Sequence, residues 1–187
     1  GGDLAATGGL TAEANGFGGF GLVQAGDGPG GNALVEVTGT GTTMQAASTT
    51  VSATGTGGGD FSFDPVTGAL LPVLNGGNGV GGNATLRFNT GGTSGIDAGD
   101  TNVDASATGG SAGGIFIPSS ANATGGDATG GTATVEVLGG TSVQMASLTV
   151  DASGTSGGAN SGGGGTARSG DARGGTIDLS VTDTGST

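Results

Sequence analysis

The residues with the most chemistry to offer are two acidic stretches. Asp97, Asp100, Asn102 and Asp104 lie within DAGDTNVD, a set of the oxygen ligands that calcium prefers. The stretch has neither the glycine nor the terminal glutamate of an EF-hand loop, and its plainest reading is a solvated loop leading into a strand. Asp60 and Asp64 flank Phe61 and Phe63 in DFSFD. Two aspartates four residues apart on a strand share a face, and paired carboxylates do acid and base work in glycosidases; nothing else in the sequence converges with this pair. Thr42, Thr43, Thr50, Thr132, Thr134 and Thr149 fall on outward positions of the strands described below. Threonine ranks can order water in ice-binding proteins. Here they are mixed with Asp, Glu, Arg and Leu, and threonine suits any solvent-facing strand position.

Much else that catalysis uses is absent. The 187 residues include no His, no Cys and no Lys, so base catalysis by imidazole, thiolate chemistry and lysine chemistry are excluded. The cations are Arg87, Arg168 and Arg173, set against 15 acids in a chain of net charge −12. Three guanidiniums in that field cannot build a phosphate-binding face, which argues against nucleic acid as a partner. Glycine pairs such as Gly81-Gly82 precede neither a Lys nor a helix, so they are not phosphate loops. Calcium-binding nonapeptides require a spacing that no copy has; in GDATGGTATV the Asp precedes the second glycine pair. Asn83-Ala84-Thr85 and Asn122-Ala123-Thr124 match the glycan sequon, a frequent coincidence in a chain rich in Asn and Thr. No catalytic, cofactor-binding or metal-ligating residue is assigned; calcium at Asp97, Asp100 and Asp104 is left open.

The elements that position these residues come from a repeat. Glycine contributes 49 residues, yet hydrophobic residues reach 32% and Pro only 4, which is not the composition of a solvated acidic tail. The motif G-[DN]-[AG]-x-G-G-[NT]-[AI]-x-[VL]-x-[VF] occurs at 26–37, 77–88, 126–137 and 170–181, with starts 51, 49 and 44 residues apart. A second motif follows: TTVSATG at 49–55, TNVDASA at 101–107 and LTVDASG at 148–154, with a relative, LTAEANG, at 10–16. TTMQAAS (42–48) and TSVQMAS (141–147) match between the two. A looser apolar patch recurs as FGLV (20–23), FSF (61–63) and IFI (115–117).

Both motifs alternate with period two, the mark of strands with one buried face. The inward set is Ala33, Val35 and Val37; Ala84, Leu86 and Phe88; Ala133, Val135 and Val137; Ile177, Leu179 and Val181; and, from the second motif, Val51/Ala53, Val103/Ala105 and Val150/Ala152. Glycine interrupts every run before a helix could form three turns. The expected fold is all-β, a β-solenoid (parallel β-helix) of Gly-rich repeats over one repetitive domain, 1–187; the alternative is an antiparallel sandwich or barrel. A repeat of 44 to 51 residues is long for one turn, which predicts two coils per repeat. The outward series Glu36, Arg87, Glu136 tests this, since direct Glu–Arg contacts require one coil per repeat.

GGTATVEVLGG (130–140) and LTVDASG (148–154), set in Gly/Asn/Asp-rich turns, resemble the large repetitive surface proteins of Gram-negative bacteria: β-strand-repeat, filamentous-haemagglutinin-like and autotransporter-like adhesins. The resemblance implies an exported, extended solenoid serving attachment, biofilm matrix or filament building at the cell surface. The function expected is therefore structural or adhesive, extracellular and non-enzymatic, without cofactors. The alternatives are a polysaccharide-acting enzyme on a solenoid scaffold, or an ice- or carbohydrate-binding module. No apolar run is long enough to cross a membrane. The chain opens with the second motif and closes with the first, complementary halves of one repeat. Expected partners are further copies added head to tail, or neighbouring repeats of a longer chain.

Overall fold

A computed structural model describes residues 2–21, 24–59, 61–63, 66–68, 70–72, 74–92, 95–113, 121–161 and 165–182. The described elements are all strands. The first motif forms β2 (Asn32–Thr38), β4 (Asn83–Asn89), β6 (Thr132–Leu138) and β8 (Thr176–Val181); the second forms β1 (Asp3–Glu13), β3 (Thr43–Ser52), β5 (Asp100–Asp104) and β7 (Ser147–Asp151). They make two parallel sheets, ordered β2-β4-β6-β8 and β1-β3-β5-β7. Among the described residues, the antiparallel pairing of a sandwich or barrel occurs only in the Phe61–Phe63 and Leu70–Pro72 hairpin.

Register follows the sequence repeat. Leu86 pairs with Val35 on one side and Val135 on the other, and Val135 pairs in turn with Leu179. In the second sheet, Val103 pairs with Val51 and Val150. Equivalent residues of successive repeats are therefore direct neighbours, and each repeat contributes one layer. This corrects the expectation of two coils per repeat, and Arg87 agrees with the correction: its guanidinium donates to Glu136 through Nε and to Glu36 through Nη1 at 3.3 Å. The extra length lies outside the two long strands, in glycine-rich arms and in the hairpin of Phe61–Phe63 and Leu70–Pro72.

The inner faces of the two sheets enclose a narrow apolar core. Leu86, Phe88, Val51 and Val103 are wholly buried, and Val35 and Val135 nearly so. Burying a side chain of the size of Leu86 or Phe88 stabilises by about 1.5–3 kcal/mol. The last inward column departs from expectation. Ile177, Leu179 and Val181 of β8 are 50%, 58% and 60% exposed, because among the described residues no strand pairs with β8 on the side away from β6.

Beyond the core the layer thins to backbone. Two series of short strands run side by side: Gly16–Phe17, Gly55–Thr56, Ala107–Thr108 and Gly154–Thr155 in one arm, and Gly28–Pro29, Gly79–Val80, Ala128–Thr129 and Ala172–Arg173 in the other. They approach so closely that a Cβ on Gly28 would overlap the carbonyl of Thr56, and one on Gly79 that of Thr108. Neither glycine has a positive φ; what they require is the absence of a side chain. Positive φ is found instead in the turns that lead from the first-motif strand to the second, at Gly39, Gly91 and Gly139 among others.

The recurring letters of the first motif now have separate physical reasons. Its leading glycine belongs to a zigzag of backbone hydrogen bonds between the arms: Gly26 N–H donates to Gly19 C=O, Gly58 to Gly26, Gly77 to Gly58, Gly110 to Gly77, Gly126 to Gly110, Gly157 to Gly126 and Gly170 to Gly157, at 2.8–3.1 Å. The Asp or Asn that follows accepts the backbone N–H of its counterpart in the next layer: Asp27 from Asn78, Asn78 from Asp127 and Asp127 from Asp171. The last glycine of the motif closes the core end of the arm, with Gly31, Gly82, Gly131 and Gly175 donating to Ala14, Ala53, Ala105 and Ala152 at 2.6–2.7 Å.

Among the described residues, the looser apolar patch forms no third column, and Leu22 and Val23 of FGLV lie outside them. FSF lies in the hairpin noted above, Phe20 is exposed outside any strand, and Ile115, Phe116 and Ile117 fall outside the described residues.

Candidate functional site

The acids of DAGDTNVD are held apart and individually occupied. Asp97 accepts the N–H of Gly99, whose φ of 60° makes the turn into β5. Asp104 accepts the N–H of Ser106, and Asp100 accepts the hydroxyl of Ser147 in the next layer at 2.7 Å. Asp100 and Asp104 stand at opposite ends of β5, about 13 Å apart at the rise of a strand, too far to share one calcium ion. Among the described residues, no three acids gather into a group that could hold a metal ion. These carboxylates satisfy backbone and hydroxyl donors at strand ends. Asp60 and Asp64, the carboxylate pair of DFSFD, lie outside the described residues.

The threonine series is likewise broken up. Thr50 and Thr149 share a column with Thr11 and Asn102, while Thr134 shares one with Leu34, Thr85 and Asp178. Both sequon asparagines belong to bonds between layers: Asn83 donates its amide to Asn32, and Asn122 accepts from the N–H and hydroxyl of Thr166. Arg87 is held more firmly protonated than an ordinary guanidinium, by its hydrogen bonds to Glu136 first and Glu36 second.

Two cavities bear on function. The larger, about 620 Å³, is a groove beside the second sheet that contains Asp3 and Asp97, with Thr43, Gln45 and Gln144. Asp3 accepts the Thr43 hydroxyl at 2.7 Å, and Asp97 accepts the Gly99 N–H at its turn. The other, about 390 Å³, opens between β8 and the last strands of the second sheet. It is apolar, lined by Val135, Val137, Val143, Met145, Leu148, Leu179 and Val181. It occupies the place where, one layer earlier, a second-motif strand lies against a first-motif strand.

Sequence reasoning missed the buried hydroxyls. Thr90 and Thr141, both in turns, share a hydrogen bond at 3.0 Å, and Thr141 also accepts the Thr90 N–H and donates to Leu138 C=O. Thr49, on the inner face of β3, donates to Ala98 C=O. For Thr49 the signal was available, because it shares the parity of Val51 and Ala53. No family model, curated protein or solved structure matches this chain. No helix among the described residues is long and apolar enough to cross a membrane.

Proposed function

We propose that this chain is a β-solenoid segment of an extracellular structural or adhesive fibre, in the manner of the Gram-negative surface adhesins that its repeats resemble, and that it is not an enzyme. The observation that carries this reading is the use to which the polar residues are put. Asp27, Asn78, Asp127, Asn83, Asn122, Arg87 and Asp100 each bond to the adjacent layer. A sequence that commits its polar side chains to layer-to-layer cohesion is organised for length and stiffness. The net charge of −12 keeps the outer surface hydrated, as an extended surface or biofilm-matrix component requires. The lack of Cys suits a chain exported unfolded.

The test is labelling of intact cells of the source organism with antibody to the purified chain. Binding to unpermeabilised cells or to material shed from them is the expected result. Labelling only after lysis would overturn the extracellular assignment.

A further inference from the structure

We infer that the open apolar face at β8 and β7 is filled by β1 and β2 of a second copy of this chain, in the register that already joins its own layers. This deepens the fibre reading and rests on it. Four series of contacts run through the molecule and reach that face with an open position. In the first sheet β8 has its outer edge unpaired among the described residues, and β2 is the edge strand at the opposite end. In the second sheet β7 and β1 are the corresponding edges. Extending the observed registers places Ala33 and Val35 of the incoming copy on Ile177 and Leu179, and its Leu10 on Leu148. The glycine zigzag continues with Gly19 of the incoming copy donating to Gly170 C=O, and the Asx series with its Asp27 N–H donating to Asp171.

Side-chain size at the open face argues for this occupant. Ile177 stands in a column that is otherwise Ala33, Ala84 and Ala133, and Leu148 in one whose inner members are Thr49 and Thr101. A solvent cap would make these positions polar. They are instead larger and more apolar than their buried counterparts, and the incoming layer offers the small Ala33 to the enlarged Ile177. Such a contact is heterologous, so it propagates rather than closing. It also places Glu13 of the incoming copy beside Asp151, whose own neighbour is Asp104. Like charges side by side oppose pairing, so assembly is promoted by salt.

The test uses the absence of cysteine. Thr11 and Thr149 are exposed and belong to one outward column, three layers apart within a chain, about 14 Å and beyond the reach of a disulfide. Across the inferred junction they are adjacent. A Thr11→Cys, Thr149→Cys double variant should give, on mild oxidation in high salt, a ladder of covalent multimers, while each single variant gives at most dimers. Shifting one partner by two residues (Thr11→Cys with Ser147→Cys) should abolish the ladder. Glu13→Gln should lower the critical concentration for assembly about two- to five-fold at low ionic strength. Filaments in the microscope without the Thr11–Thr149 ladder, or an equal ladder from the shifted pair, would overturn this junction and leave the fibre reading standing. Discrete monomers under every salt condition would likewise overturn the junction, whereas the fibre reading falls only if the chain is absent from the cell surface.

Discussion

At the scale of single residues, glycine serves two unrelated purposes here, and substitution separates them. Gly126 sits in the zigzag with no room for a Cβ against the Gly77 carbonyl, whereas Gly158 has nothing within 4 Å of where a Cβ would go. Gly126→Ala should therefore destabilise by at least the ~1–3 kcal/mol typical of overpacking, since the clash is with backbone that cannot rotate away. Gly158→Ala should be neutral within about 0.5 kcal/mol, as surface substitutions usually are. Chemical denaturation of the two variants checks this; equal effects would mean that successive layers of the arm are not packed backbone to backbone. The sequence displayed the Gly-[Asp/Asn] pair four times, but not its cause. A carboxylate accepting an N–H from a residue one whole repeat away leaves no local trace.

At the scale of the element, period-two alternation identified the long strands and their buried faces, because a one-residue slip would turn every apolar side chain to solvent. Layer count was not legible in the same way. A repeat of 44 to 51 residues looks long for one turn only if each residue advances a strand around a side-chain core. Here many residues form arms in which backbone meets backbone, such as Gly55 against the Val80 carbonyl, or belong to the hairpin of Phe61–Phe63 and Leu70–Pro72. The Glu36–Arg87–Glu136 series decided the matter. Arg87→Glu would place three carboxylates side by side on neighbouring strands, with no cation between them. The midpoint of thermal unfolding should fall at low ionic strength and recover substantially in high salt, because the site is partly exposed and screening acts there. A salt-independent change would argue against direct side-by-side placement.

At the scale of the whole molecule, the account rests on one claim: each repeat is one layer, and layers of different copies join as layers of one copy do. The candidate site was half legible. The inward parity of Ile177 and Leu148 was visible in the alternation, whereas their enlargement over Ala133 and Thr101 acquired meaning only once registers were known. Cryo-electron microscopy of the purified chain assembled in high salt tests the claim most directly. The expected result is a filament of parallel strands running across the axis, with layers about 4.8 Å apart and a subunit rise of about 19 Å, one layer for each of the repeats. A rise near ~38 Å, antiparallel ladders between repeats, or subunits joined through their sides instead of through β1 and β7, would contradict it.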